Sequence, residues 1–204
     1  MKSLLQLVLL SCILVGCSSI SKSRDLDILG TESCAPPCWR GITPGVTTAE
    51  EAISLFQDWQ SNNQGTWKRN TGTNNVISWD YICWSEKFFP ETCMDIDSND
   101  LISEIDLTIS FSFLKLRDII EKYGNPDGYT SELCVDCSGY GISIYYPEKG
   151  LLFTFSGSGK IQIIPTLKIS RAIFFAPSNQ KQVVDEIGYR PWTGYDVTDI
   201  QNNK

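Results

Sequence analysis

Cysteine placement constrains this chain more than any other feature. Of its eight cysteines, six fall into three close pairs: Cys34 with Cys38, Cys83 with Cys93, and Cys134 with Cys137. The chain opens on Lys2, an apolar run from Leu4 to Val15, and the small Gly16. A charged start, an apolar middle too short to span a bilayer, and small residues before a cut make a secretory signal. Export brings the chain to an oxidising compartment, where an even set of cysteines reads as a disulfide framework. Six cysteines allow about fifteen connectivities. Their grouping favours Cys34–Cys38, Cys83–Cys93 and Cys134–Cys137. Loops this short pin local turns, at about 2–3 kcal/mol each. Two other chemistries draw on the same residues. Cys34, Cys38, Cys134 and Cys137 have the makings of a four-thiolate zinc set, which oxidation outside the cytoplasm disfavours. Cys134-Val135-Asp136-Cys137 has redox C-x-x-C spacing, but such thiols need a helix N-terminus. Here Ser138-Gly139-Tyr140-Gly141 reads as a turn entering a strand.

Leu14-Val15-Gly16-Cys17 resembles the lipobox of bacterial lipoproteins. The resemblance implies cleavage before Cys17, acylation of its thiol and amine (palmitate being the usual chain), and a mature protein held on a membrane by lipid. Cys12 leaves with the signal. Each buried methylene contributes about 0.8 kcal/mol, so several chains on one cysteine anchor firmly without the polypeptide touching the bilayer. The expected location is the cell envelope, lipid-anchored to a bacterial membrane and facing outside the cytoplasm. Removing residues 1–16 leaves 188 residues, enough for one good-sized domain or two small units sharing a core.

Net charge is −7, and −8 once Lys2 is removed. An acidic surface disfavours nucleic acid, whose phosphates need a basic face. Histidine is absent, which removes Ser-His-Asp and Cys-His catalysis, imidazole-bound metals and the usual pH switch together.

Residues 17–33 have few apolar positions and read as a tether. Folding starts at Cys34-Ala35-Pro36-Pro37-Cys38-Trp39. Thr47-Thr48-Ala49-Glu50 reads as a capping box, followed by Ala52, Ile53, Phe56 and Trp59 at helical spacing to about residue 60. Ile77, Trp79, Tyr81 and Cys83 alternate on a strand ending near Trp84. A loop holding Pro90 then leads to Cys93. Leu101, Ser103, Ile105, Leu107, Ile109 and Phe111 alternate with polar positions in a half-buried antiparallel strand. A second helix spans about Lys115 to Tyr123, stopped by Gly124 and Pro126. Strands follow at Ile142–Tyr146, Leu151–Phe155, Ile161–Ile164 and Leu167–Phe175. A short helix from Ser178 to Gly188 comes next. The expected fold class is α+β: two disulfide-pinned units in tandem, residues 34–110 and 111–196, each laying a helix on an antiparallel sheet. Residues 197–204 form a frayed tail.

Gly41-Ile42-Thr43-Pro44-Gly45-Val46-Thr47-Thr48-Ala49-Glu50 resembles the I-x-x-G-M-T-x-x-E/Q-V opening of the SmpA/OmlA (BamE) envelope lipoproteins. Tyr123-Gly124-Asn125-Pro126-Asp127 resembles the L-G-x-P that ends the helical part of that pattern. Tandem modules of this kind also look like the β-lactamase inhibitor protein fold. Cys34-Ala35-Pro36-Pro37-Cys38-Trp39-Arg40-Gly41-Ile42 resembles a segment of a group of bacterial lipoproteins of unassigned function. These resemblances imply a fold, and their turn and cap positions are structural.

Three kinds of chemistry remain to be weighed. Asp95, Asp97, Asn99 and Asp106 place oxygens at the spacing of a twelve-residue calcium loop. Asp100 stands where its glycine belongs, however, and the flanks are strands, so a polar turn accounts for the same residues. No resident metal or cofactor is expected. Six tryptophans are many for this length. Trp67, Trp84 and Trp192 lie off the best apolar stripes and are the candidates for contact with a ligand or partner. No catalytic set stands out among the 24 acidic residues, and enzyme activity is not expected. The expected role is a non-catalytic protein-interaction or assembly module with an envelope protein as partner. The alternative is an extracellular glycan- or other ligand-binding lipoprotein using exposed aromatics. A carboxylate-based hydrolase is the third reading.

Overall fold

The computed structural model describes residues 34–61, 65–73, 78–86, 89–109, 114–134, 139–158, 162–179 and 190–195. Helix α1 spans Ala49–Ser61 and α2 spans Leu116–Tyr123. Among the described residues nine strands accompany them: β1 Thr66–Thr73, β2 Ser78–Glu86, β3 Phe89–Ile96, β4 Ile102–Thr108, β5 Gly128–Cys134, β6 Gly139–Tyr146, β7 Leu151–Ser158, β8 Ile169–Phe175 and β9 Arg190–Pro191. They form one antiparallel sheet in the order β1-β2-β3-β4-β8-β7-β6-β5-β9. The protein is thus α+β, mostly sheet. The sheet runs unbroken across residue 110 because β4 pairs with β8.

Each helix starts for a visible reason. The capping box of α1 lies one residue later than the sequence suggests. Thr48 N–H donates to Glu51 Oε2 at 2.8 Å, and Glu51 N–H donates to Thr48 Oγ1 at 3.2 Å. Thr47 instead accepts from Thr43 N–H at 2.8 Å, closing the turn before the helix. Ala49, Ala52 and Phe56 are buried along one face. Phe56 stacks on Trp84 of β2, centroids 5.4 Å apart. In α2, Asp118 accepts the Lys115 N–H at 2.8 Å. Leu116 and Ile119 are buried, and Tyr123 lies over Phe153 and Tyr146 of the sheet. Gly124, at φ +82, ends the helix by donating to Ile120 O.

Several contacts recur at positions 67 residues apart. Thr48 and Lys115, each just before its helix, form isolated bridges to Leu101 and Lys168, each just before its strand. In the first, Ala49 N–H donates to Asp100 O and Ile102 N–H to Thr47 O. In the second, Leu116 donates to Leu167 O and Ile169 to Leu114 O. Both ladders skip a residue at the same place: Ser103 beside Asp95, and Ser170 beside Thr154. Each serine hydroxyl donates to the carbonyl across the gap, Asp95 O at 3.2 Å and Thr154 O at 3.1 Å. The buried sets match as well, Ile102, Ile105 and Leu107 of β4 against Ile169, Ala172 and Phe174 of β8. The β4–β8 ladder is symmetric about the Asp106–Ile173 pair, because Glu104 meets Phe175 and Thr108 meets Arg171.

The main core lies between the helices and one sheet face, built from Ile82, Trp84, Met94, Ile105, Ile144, Phe153, Phe174 and their neighbours. Successive strand side chains alternate between faces, so the opposite face carries a second set. In the later half this is an apolar cluster of Tyr145, Leu152, Ile173 and Phe175. In the earlier half it holds Tyr81, the Cys83–Cys93 bridge, Asp95, Glu104, Asp106 and Thr108. Residues 34–48 brace one end of the sheet. Trp39 and Ile42 exchange two backbone hydrogen bonds of 2.9 Å across Arg40 and Gly41. Both central residues have positive φ, +49 and +89, the geometry of a tight hairpin turn. The turn aims Arg40 over the rings of Trp39 and Trp59, 5.1 and 5.5 Å from their centroids. Gly150, at φ +61, leaves room for Pro37 and for the Phe175 carbonyl, both of which a Cβ would strike.

Several sequence expectations shift. Strands β1, β5 and β9 have no counterpart in the pattern read from the sequence, and β3, expected only as the strand before the polar turn, takes in Phe89 and Pro90, where a loop is expected. Residues 162–168 form a turn and not a strand. The expected helix after Ser178 lies mostly outside the described residues, and 177–179 form a single 3-10 turn.

Candidate functional site

Two of the three expected disulfides are present. Cys34 and Cys38 are bonded across the proline turn, and Cys83 and Cys93 are bonded across β2 and β3. Cys137, and with it the expected Cys134–Cys137 bridge, lies outside the described residues, as does Cys17. Because Cys34 and Cys38 are spent on each other, the four-thiolate zinc reading loses two of its ligands.

The three candidate tryptophans have different fates. Trp84 is not available to a ligand: it is 1% exposed, stacked on Phe56 and edge-on to Trp59. Its strand turns Ile82 and Trp84 to the main core, so the alternating set Tyr81 and Cys83 belongs to the other face. Trp67, opposite Trp84 on β1, is half-buried against the same core. Trp192 is half-buried, edge-on to Tyr129 at 6.3 Å and to Tyr195 at 5.9 Å. The last two rings stand at 83° to one another and so offer no coplanar platform. Among the described residues, two large apolar side chains that the sequence does not single out are exposed: Val46 at 70%, on the turn before α1, and Tyr195 at 37%. Val46 follows Pro44-Gly45, and that turn chemistry is the signal that marks it as a tip.

The calcium alternative does not match the geometry. Asp97 Oδ1 already accepts from the backbone N–H of Asn99 at 2.8 Å and of Leu101 at 3.0 Å, the self-capping of a polar turn. Asp106 is taken up by Arg171, whose Nε and Nη2 donate to its two oxygens at 2.7 and 2.6 Å. Asp100 adopts φ +61 at the position where a calcium loop has glycine. Aspartate tolerates that conformation, and its carboxylate lies 3.7 Å from Arg69. Among the described residues, no three of His, Cys, Asp and Glu gather as a metal set.

The chemistry that does converge sits on the sheet face away from the helices. Asp95, Glu104 and Asp106 occupy neighbouring strands there, with Arg171 across the β4–β8 seam. Partial desolvation, followed by the charge of Asp106, raises the Asp95 carboxyl above its ordinary range even though the residue stays exposed to solvent, with Arg171 pulling the other way. The hydrogen bonds that Arg171 donates to Asp106 in turn keep Arg171 firmly protonated. Beyond the seam, Ser143 bonds Thr154 and Ser156 bonds Ser170, each at 3.0 Å. These side chains make a hydrogen-bonding and net-acidic surface. No helix among the described residues is long and apolar enough to cross a membrane. No family model, curated protein or solved structure matches the chain.

Proposed function

We propose that this chain is an exported lipoprotein, anchored through Cys17, whose folded part is a non-catalytic module that binds another protein at the cell envelope. The observation that carries the interaction reading is the difference between the two halves of the sheet's outer face. The later half is closed over Tyr145, Leu152, Ile173 and Phe175, all under 9% exposed. The earlier half leaves Asp95 and Thr108 exposed and Tyr81, Glu104 and Asp106 half-exposed. A broad strand surface of charged and hydroxyl side chains suits protein contact. Export is supported by the Cys34–Cys38 and Cys83–Cys93 bridges, since disulfides persist in oxidising compartments.

The same reading takes the chain as two related units in tandem. Its support is the repetition of the helix-start bridge, the skipped serine and the buried pattern at positions 67 residues apart, as in Ile102 and Ile169.

One experiment tests anchor and interaction together. A Cys17→Ala chain is expected to lose palmitate labelling and leave the membrane fraction. A photo-crosslinking residue placed at Thr108 is expected to give a discrete envelope adduct, while one at Gln57, on the outer side of α1, gives none. Unchanged membrane retention of the Cys17→Ala chain sinks the lipid anchor. Equal adducts from both positions sink the interaction surface.

A further inference from the structure

We propose that the outer edge of β1, between Trp67 and Thr71, receives an extended acidic segment of a partner protein as an additional antiparallel strand. The proposal rests on the interaction reading above and names a second contact for it. Among the described residues β1 has β2 as its single strand partner. The hydrogen-bonding direction along it follows from the disulfide. Cys83 and Cys93 stand opposite with Cα atoms 4.1 Å apart, the close spacing of a pair that does not exchange backbone hydrogen bonds. Cys83 therefore turns its N–H and C=O toward β1, where its partner is Lys68. Alternation then turns the N–H and C=O of Trp67, Arg69 and Thr71 outward, away from β2.

The other half of the molecule shows what such an edge accommodates. Arg69 pairs with Ile82, Ile82 with Met94, and Met94 with Ile105. Tyr129 pairs with Ile144, Ile144 with Phe153, and Phe153 with Ala172. Ile105 and Ala172 are corresponding positions of β4 and β8, so Lys68 and Arg69 correspond to Gly128 and Tyr129. Those are the two residues that β9 pairs, antiparallel, through Pro191 and Arg190. Trp192 continues that contact, donating its N–H to Asp127 O at 3.2 Å and resting edge-on against Tyr129. One edge of the sheet carries a strand from its own chain at the place where the corresponding edge has none among the described residues.

Charge selects the occupant. In a chain of net charge −7, Lys68 and Arg69 put two exposed cations on this edge, one toward each face of the sheet. The pairs of Arg69 with Asp80 at 3.1 Å and Asp100 at 3.7 Å are solvent-exposed, and such pairs contribute only about 0–1 kcal/mol. Carboxylates on an incoming strand can share those cations. A second copy of this chain, laying β1 antiparallel to β1, sets cation against cation, which is how natural edges discourage self-pairing.

The test uses the full mature chain in detergent, a peptide of alternating Glu and Val, and the same peptide with Lys for Glu. The acidic peptide is expected to bind at least about tenfold more tightly. It is expected to slow amide exchange at Trp67, Arg69 and Thr71. Thr71→Pro removes one outward N–H while sparing the ladder to β2, so it weakens binding by about tenfold, whereas Thr71→Val does not. A peptide N-methylated on alternate residues, which needs no protein variant, is expected to lose binding. Equal binding of both peptides, exchange slowed elsewhere, or protection that grows with protein concentration alone each overturns the proposal. If the Thr108 adduct persists in a chain whose β1 edge binds no peptide, this proposal falls and the interaction reading stands. If the edge binds and Thr108 gives no adduct, the reverse holds.

Discussion

Trp84 is the largest side chain in the core at under 2% exposure, and it holds α1 to the sheet through Phe56 and Trp59. Trp84→Ala is expected to destabilise the protein by about 3–5 kcal/mol in urea titration. Trp192→Ala, at a half-buried position, is expected to cost clearly less. The sequence points the wrong way at Trp84 for a physical reason. Cys83 is also buried, 2% exposed under its own disulfide, so both faces of β2 carry apolar residues and alternation no longer tells inside from outside. Asp95 gives a pH prediction at the same scale. Its carboxyl is held above the ordinary 3.8 by partial desolvation and then by Asp106. Its ionised form therefore costs stability above the raised value, and that cost is relieved as pH falls through it. Asp95→Asn is expected to be more stable than the parent at pH 7, with the gap closing as acid titrates the parent toward pH 3.8, followed by thermal melts across that range.

At the scale of elements, the helices were the most legible part of the chain. The stripe Ala52, Ile53, Phe56 places α1, and Leu116, Ile119, Ile120 with Gly124 behind them place α2 to within a residue. The cap itself was off by one, since Thr47-Thr48 before Glu50-Glu51 offers two registers and only the hydrogen bonds choose. Thr48→Ala is expected to cost about 1 kcal/mol and Thr47→Ala to act through the preceding turn instead; melts of the two variants with and without Glu51→Ala separate them, because only the Thr48 loss couples to Glu51. Strands were harder. Thr66-Trp67-Lys68-Arg69-Asn70-Thr71-Gly72-Thr73 has one large apolar residue because an edge strand needs little burial. Pro90 in β3 argues against a strand unless its missing N–H costs no ladder bond. The skipped Ser103 also moves the buried position from Leu101 to Ile102, a phase slip that strict alternation cannot express.

For the whole molecule, one sheet and one shared main core predict one unfolding event. Heat or urea followed by tryptophan fluorescence, which reports mainly the first half, should coincide with far-ultraviolet dichroism, which reports both. Two separated transitions would mean that the halves fold independently despite the β4–β8 ladder. The sequence shows the order helix, strands, helix, strands. It does not show the seam, because the pairing of Asp106 with Ile173 joins residues far apart in the chain, and nothing local in either strand announces its partner. The candidate site suffers the same way: Asp106 reads only as a polar position of a half-buried strand until Arg171 arrives from the other half.

Under the proposed lipid anchor, the small proline-containing ring at Cys34–Cys38 would meet mechanical load first. Pro37 lies against the hairpin end at Gly150 and the end of β8, while Gly45 donates to Ile102 O and sits close to Ala176. For a chain tethered at its N-terminal end, tension would arrive at this brace before reaching any ladder, and would be divided between both halves. Strands loaded together along their length resist by shear, whereas a strand pulled from the margin opens one bond at a time like a zipper.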